Sequence, residues 1–221
     1  TIDKAVCRIL SLKFQMGLFD DPFVDEKQAV QLVASSEHTG LAREVARQSI
    51  VLLKNKDKLL PLKKDIRTLA VIGPNADNVY NMLGDYTDGT VVTVLDGIRQ
   101  KVSKETRVLY AKGCAVRDSS RTGFKDAIEI ARNADAVVMV MGGSSARDFS
   151  SEYEETGAAK VTINQISDME SGEGYDRATL HLMGRQLELL EEISRLGKPV
   201  VLVLIKGRPL LMEGAIKEAE A

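Results

Sequence analysis

Histidine and cysteine are scarce in this sequence, with two of each among 221 residues. The two histidines, His38 and His181, argue against a metal site or catalytic triad built on histidine. The two cysteines, Cys7 and Cys114, lie far apart, without the spacing of metal ligands, and they do not decide the redox compartment. The sequence therefore predicts neither a metal centre nor a disulfide framework.

Long apolar runs and an excess of one charge are also missing. No apolar run approaches the roughly 20 residues of a membrane-spanning helix, so we expect no membrane span. Lysine and arginine total 30, aspartate and glutamate total 32, and the net charge is −2. A nucleic-acid-binding protein normally carries a strong basic excess, so we expect no nucleic-acid partner.

Four short apolar runs, each bounded by glycine or proline, are the most regular feature of the chain. Such runs are typical of strands that are buried on both faces of a parallel sheet. Helical spacing of apolar residues occurs between them, at 124–131 and 187–193, with Thr122 as an expected N-cap and Gly197 past the second helix. The predicted class is α/β with a mainly parallel sheet sandwiched between helices. The predicted strands cover residues 68–73, 107–112, 136–141 and 199–205.

The chain before the first of these runs has a different pattern. The opening "TIDKAVCRIL" has helical spacing and Gly17 is a plausible stop. A polar connector follows, then a helix over about 39–49 and a short apolar strand, "IVLLKN", at 50–55. Because the chain opens in a helical pattern and ends in another without a stop signal, we expect it to be a piece of a longer polypeptide.

A long excursion separates the strand at 136–141 from the helix that begins near residue 184. Loops of more than about 12–15 residues are unusual and often functional, and ligands gather beyond the carboxyl ends of parallel strands. This excursion contains "SGEGYDR", in which Glu173 stands between Gly172 and Gly174. The glycines either form an ordinary surface turn or bend the backbone to present the carboxylate.

The neighbouring residues also have plain structural interpretations. Tyr175 would anchor the loop by packing, and Arg177 would form an ion pair with Asp148 or Asp176. The acidic stretch "RDFSSEYEE" is typical of a solvated charged surface.

Two other functional classes find little support. The turn after the first strand, "GPNADN", lacks the G-x-G-x-x-G fingerprint of dinucleotide-binding folds, and Pro74 removes an amide that a phosphate would need. "MGGSSA", which includes Ser144, could form a small anion nest. No G-x-S-x-G elbow marks Ser144 or Ser145 as a hydrolase nucleophile.

Several segments together resemble glycoside hydrolase family 3, in family order and over most of the chain. They include "AVCRILSLKFQMGLFDDPFVD", "AREVARQSIVLLKNKDKLLPL", "LAVIGPNAD", "TVLDGI", "YAKGC", "EGYDRATLHLMGRQLELL" and "GKPVVLVLIKGRPL". The family joins a (β/α)8 barrel to a six-stranded α/β sandwich. The resemblance implies that residues 1–19 are the last helix of the barrel, 20–40 a linker, and 41–221 a sandwich domain that is truncated at its C-terminus.

The resemblance also implies a function. Family members are retaining beta-glucosidases and beta-xylosidases whose aspartate nucleophile lies on a barrel strand, which this sequence does not contain. The general acid/base is a glutamate of the second domain, and "SGEGYDR" assigns it to Glu173, with Glu170 and Asp176 as nearby alternatives. Tyr175 and Ser144 are the expected substrate contacts.

Two carboxyl groups suffice for this chemistry, so no cofactor or metal is expected. The expected partners are a glycoside substrate and the barrel of the same polypeptide, and the expected location is periplasmic or secreted. By itself the chain should be inactive. The alternatives are a non-catalytic carbohydrate-binding or interface module and, with less support, a Rossmann-like nucleotide binder. With the barrel absent, the polar segment 146–169 is expected to be poorly packed.

Overall fold

The computed structural model describes residues 1–83, 91–146, 154–157, 168–172 and 175–221. These residues form two units, Thr1–Val51 and Leu52–Ala221. The domain boundaries implied by the resemblance stay predictions.

The first unit consists of three helices: α1 (Ile2–Gln15), α2 (Glu26–Leu32) and α3 (Ser36–Ser49). Gly17 follows α1 with a φ of 70°, as expected of a glycine that ends a helix. The short helix α2 was not predicted, although Asp25 caps it by accepting hydrogen bonds from the backbone N–H groups of Lys27 and Gln28. None of the three helices buries a residue.

The strand predicted at 50–55 is wrong, because these residues are irregular in the structure. Ile50, Val51, Leu52 and Leu53 are exposed. A strand is stabilised by pairing with a neighbour and by burial of at least one face, and this segment has neither in the described part of the chain. A single 3₁₀ turn, Lys56–Lys58, follows it.

The second unit contains a four-stranded parallel sheet in the order β2-β1-β3-β4, which confirms the predicted class. Its most buried strand is β3, where every residue is buried. The strands agree with the predicted ones to within one residue at each end: β1 (Thr68–Ile72), β2 (Arg107–Ala111), β3 (Ala136–Gly142) and β4 (Val200–Ile205).

Helices cover both faces of the sheet, and one hydrophobic cluster lies on each face. On one face Leu95, from the helix over Val94–Lys101, packs against Val71 and Val140. On the other, Phe124, Leu189 and Ala215 pack against side chains such as Met139. The helices of this unit are α4 (Val79–Leu83), α5 (Val94–Lys101), α6 (Phe124–Arg132), α7 (Gln186–Ser194) and α8 (Glu213–Glu218).

Two helix starts of this unit differ in how they are capped. The expected N-cap Thr122 is wrong: Gly123 holds that position without a side-chain bond, and the Thr122 hydroxyl is 3.1 Å from that of Ser120. At α5, in contrast, the Thr93 hydroxyl accepts a hydrogen bond from the Asp96 backbone N–H. A capping side chain of the right type is therefore an ambiguous signal when several polar residues compete for the same turn.

Gln186 fixes where the long excursion leaves and rejoins the sheet. Its buried side-chain oxygen accepts a hydrogen bond from the Gly142 backbone N–H at 2.9 Å, and its nitrogen donates to the Gly142 and Val116 carbonyls. The end of β3 and the first residue of α7 are thereby joined directly. The excursion over 143–185 starts and finishes at the carboxyl end of β3.

The segment 146–169, expected to be poorly packed, is buried at both ends, since Ala146 and Met169 are almost inaccessible to solvent. The expectation is wrong for those ends. Most of what lies between them, 147–153 and 158–167, is outside the described residues.

Candidate functional site

The carboxyl ends of β1 and β3 form the topological switch point of the sheet, since the chain proceeds from β1 to β2 on one side and to β3 and β4 on the other. In open parallel sheets this point is where ligands bind. Asn75, fully buried after β1, donates a hydrogen bond to the Gly143 carbonyl at 3.0 Å and accepts one from Asn81 at 2.7 Å. The two strand ends are thus bridged by a side-chain amide.

The Glu170 side chain also lies against Gly143. A β-carbon built on Gly143 would stand 2.6 Å from Cδ of Glu170, so the missing side chain makes room for the carboxylate. The backbone N–H groups of Glu170 and Ser171 donate to the Ser144 carbonyl at 2.8 and 3.3 Å. The returning end of the long loop is therefore tied to the first residues after β3.

Arg177 completes a buried ion pair with Glu170. Its Nη1 atom is 2.7 Å from Oε2 of Glu170, and the two side chains are only 4% and 2% exposed. Nη2 donates to the His181 carbonyl, and the buried Nε has no acceptor among the described residues. The expected pairing of Arg177 with Asp176 is wrong, because Glu170 takes that place; Asp148 lies outside the described residues.

Asp176 is held from the opposite direction. Its carboxylate accepts a hydrogen bond from the Arg177 backbone N–H at 2.8 Å and one from Arg208 at 3.0 Å. These two bonds, the backbone one first, lower the pKa of Asp176 below its usual range. Arg208 also donates to the Tyr175 carbonyl at 3.0 Å. Asp176 is therefore an ionised surface group with a fixed partner.

A third arginine, Arg117, contacts the beginning of the same stretch, residues 168–177. The Asp168 carboxylate accepts from the backbone N–H groups of Val116 and Arg117 at 2.8 and 3.4 Å. The Arg117 side chain donates to the Met169 carbonyl at 2.9 Å, and its guanidinium carbon is 6.0 Å from the centre of the Tyr175 ring. Three arginines from three parts of the chain thus contact residues 168–177.

The three arginines and the residues of 168–177 that they contact form a polar cluster, and the site residues assigned from the sequence that the structure describes lie in or beside it. Ser144 is buried, and its hydroxyl accepts a hydrogen bond from the Ala146 N–H at 3.2 Å. Tyr175 is half-buried beside Arg117. Glu173 and Gly174 lie outside the described residues, while Gly172 has a φ of 112°, a backbone angle that glycine adopts readily. The roles assigned to Glu173, Tyr175 and Ser144 stay predictions.

Sequence reasoning missed the parts of the cluster that other segments supply. Arg117 and Arg208 lie 52 and 33 positions from the backbone oxygens that they contact, and no local pattern marks either. Glu170 was considered only as an alternative acid. Of the acidic stretch expected to be solvated, Glu154 and Glu155 are exposed, and Asp148 and Glu152 lie outside the described residues.

Among the described residues, no group of three or more histidine, cysteine, aspartate or glutamate side chains is arranged to hold a metal ion. No helix of those residues has the length and apolarity to cross a membrane.

The fold and the cluster define an α/β domain that carries one long, arginine-held loop at the carboxyl end of its sheet. The family model described as the glycosyl hydrolase family 3 C-terminal domain matches residues 50–221. The chain belongs to glycosyl hydrolase family 3, as the resemblance of its motifs predicted.

Curated relatives and solved structures agree with this assignment. A beta-xylosidase of Formosa agariphila is 42% identical over 219 residues, which cover 95% of this chain and 27% of the relative. The periplasmic beta-glucosidase of Salmonella typhimurium is 33% identical over 249 residues, covering 100% of this chain and 29% of the relative. The chain thus spans little more than a quarter of the length of these relatives.

Among solved structures, a beta-glucosidase from Listeria innocua in complex with isofagomine has a TM-score of 0.75 and 30% identity, covering 99% of this chain and 27% of that one. A beta-glucosidase from Erythrobacter marinus has a TM-score of 0.76 and 34% identity, with coverages of 96% and 29%. Both similarities extend over nearly the whole of this chain, so they support the parallel α/β fold.

Proposed function

We propose that this chain supplies the general acid/base of a retaining, exo-acting beta-glycosidase, and that Glu173 is this residue. The observation that carries the proposal is that arginines hold Glu170 and Asp176, the two nearby acids that are the alternatives to Glu173. Glu170 is buried against Arg177, and Asp176 is bonded to Arg208. A general acid must reach the substrate and exchange a proton with it, so neither held acid suits the role that the family resemblance gives to Glu173.

The backbone at Gly172 supports the same assignment. Its φ of 112° lies in a region that other residues rarely adopt, and it immediately precedes Glu173. This geometry favours the interpretation in which the glycines bend the chain to present a carboxylate. An ordinary surface turn would not require the flanking residues to be anchored to the sheet by buried contacts.

The proposed chemistry needs two carboxyl groups about 5–5.5 Å apart. In the first step the nucleophile bonds to the anomeric carbon while Glu173 gives its proton to the departing glycosidic oxygen. In the second step the Glu173 carboxylate takes a proton from water, whose oxygen bonds to the anomeric carbon and releases the nucleophile. The proposal assigns the nucleophile to a barrel domain of the same polypeptide, so this chain by itself should not hydrolyse glycosides.

The names of the relatives guide the choice of substrate. We propose terminal beta-D-xylosides or beta-D-glucosides, because the similar proteins are named beta-xylosidase and beta-glucosidase. Tyr175 and Ser144 are the proposed substrate contacts, and the greater exposure of Tyr175 favours it for the leaving-group side. A periplasmic or secreted location is proposed from the periplasmic beta-glucosidase alone.

The test is a Glu173→Gln variant of the intact enzyme, assayed on glycosides with poor and good leaving groups. With a methyl glycoside, kcat should fall by about 10²–10⁴, the usual contribution of general acid catalysis. With a dinitrophenyl glycoside, which departs without a proton, the first step should be spared. Azide should then accelerate turnover and yield the glycosyl azide, because azide needs no general base.

A matched control is Glu155→Gln, which makes the same chemical change at an exposed position of the same excursion. It should leave both rates unchanged. A non-catalytic carbohydrate-binding module predicts a different pattern for Glu173→Gln, in which KM rises equally for both substrates and azide has no effect. That pattern would refute the catalytic role.

A further inference from the structure

The Glu170–Arg177 ion pair is a costly feature of this domain. Both side chains are almost fully buried, and removing two charges from water costs several kcal/mol per ion before their attraction is counted. A pair of apolar side chains of similar size often gives equal or greater stability. Stability alone therefore gives a weak account of why charged groups occupy these two positions.

The position of the pair along the chain points to another role. Glu170 precedes Glu173 by three residues and Arg177 follows it by four. Because the two charged groups are 2.7 Å apart, they bring together the two ends of the stretch that carries Glu173.

Each member of the pair is also fixed to the domain. Glu170 lies over Gly143, and its N–H donates to the Ser144 carbonyl, directly after β3. Arg177 is held on its far side by the His181 carbonyl, a few residues before α7. The pair therefore connects the stretch to the sheet on one side and to the approach to a helix on the other.

Within the part of the chain that the structure describes, the guanidinium group keeps one buried donor, Nε, without an acceptor. Buried unpaired donors are rare in folded proteins and are a sign that some other requirement determines the arrangement. Here the fork of Arg177 is oriented by Glu170 and His181. Lysine, with a single charged nitrogen, could not serve both partners with the same geometry.

We propose that Glu170 and Arg177 are positioning residues for general acid catalysis: the ion pair sets where the Glu173 carboxyl is presented. This inference rests on the proposed function of Glu173. A displacement of about 1 Å at a catalytic group can reduce a rate by about 10²-fold. Loss of the pair should therefore impair proton donation much more than sugar binding.

The experiment measures the ratio of kcat/KM for a dinitrophenyl glycoside to kcat/KM for the matching methyl glycoside in the intact enzyme. Unlike kcat, kcat/KM reports the first step alone and is not limited by the second step, in which Glu173 acts as the base. The ratio of the two values does not depend on the fraction of enzyme that is folded. Arg177→Met should raise it by about 10–100-fold through misplacement of the acid, with KM for the methyl glycoside changed by less than about threefold. Glu170→Gln, which keeps an acceptor for Arg177, should raise the ratio less. The ratio for Arg177→Lys should lie between those of Arg177→Met and wild type.

Arg121→Gln is the control, since Arg121 forms ion pairs with Glu188 and Glu192 on the helical surface and does not contact the stretch. It should leave the ratio unchanged. If Arg177→Met and Glu170→Gln lower both kcat/KM values equally, the pair is merely structural and the inference is wrong, while Glu173→Gln still tests the catalytic role separately. If Glu173→Gln itself leaves the ratio unchanged, the proposed function fails and this inference fails with it.

Discussion

Replacing Gly143 with alanine should destabilise the domain severely, although the change adds a single methyl group. Gly143 does not have a positive φ, so its backbone does not require glycine. The space above it does, since a β-carbon would stand 2.6 Å from Cδ and 3.0 Å from Cγ of Glu170. The methyl group and the carboxylate cannot both occupy this position.

The expected magnitude follows from the ion pair. Glu170 must move away from Gly143, which separates it from Arg177 and leaves a guanidinium buried without its counter-ion. Breaking a buried pair in this way costs about 3–5 kcal/mol. Some of this cost is recovered if the loop opens and admits water to Arg177, so the lower end of the range is the safer expectation.

Urea unfolding of the intact protein, followed by a probe in the sheet domain, measures the change. Gly97→Ala is the control, because Gly97 lies inside α5 and the nearest atom to its added β-carbon, Cγ1 of Val92, is 4.0 Å away. That variant should gain about 0.5–1 kcal/mol from helix propensity. The same alanine substitution thus has opposite expected signs at two glycines of one domain.

A double-mutant cycle tests the cause. In a Glu170→Ala background the clash is already absent, so Gly143→Ala should cost less than about 1 kcal/mol further. Two results would refute the reasoning: a Gly143→Ala protein with the unfolding midpoint of wild type, or costs of Gly143→Ala and Glu170→Ala that simply add.

Three further outcomes are expected. Gln186→Leu should lower the free energy of unfolding by about 2–4 kcal/mol, because the buried Gly142 N–H and carbonyl lose their partner; an unchanged urea midpoint would contradict this. Burial raises the pKa of Cys114 to about 12, so iodoacetamide at pH 8 should label it only after unfolding. The contribution of the protonated Cys114 thiol to stability should be full below about pH 9 and decline as the pH rises above that value. Arg208→Gln should raise the pKa of Asp176 only part of the way to its ordinary value in an NMR titration, since the hydrogen bond from the Arg177 N–H remains. Full recovery would show that this backbone hydrogen bond has no effect on the pKa.

The sheet could be predicted from the sequence because its signal is local and redundant. Each strand is a short apolar run. The run at β3 is buried on both faces, so it contains no polar residues of the kind that an exposed face would carry. The segment at 50–55 has a similar composition but no paired neighbour in the described chain, and it is not a strand. Composition identifies a segment that would be stable in a sheet, whereas membership of the sheet depends on partners distant in sequence.

The candidate site was only partly predictable, for the same reason. The position of the loop after β3 and the glycines around Glu173 are visible in the sequence. The partner of Arg177 was not, because several acids lie within reach along the chain and only the fold selects Glu170. Arg117 and Arg208 reach the stretch from remote segments.

The switch point of this sheet is used in an unusual way. In open parallel sheets the crevice at the switch point receives a ligand. Here Asn75 and Glu170 of the protein itself lie against Gly143 at that place. A carboxylate held there by Arg177 occupies space that an anionic ligand would otherwise take. This arrangement argues against nucleotide binding at the crevice. Because the strand ends are filled, the loop that they anchor is the part of this region that can contact a ligand. A residue that acts on a substrate bound mainly by another domain would have to lie on such a loop.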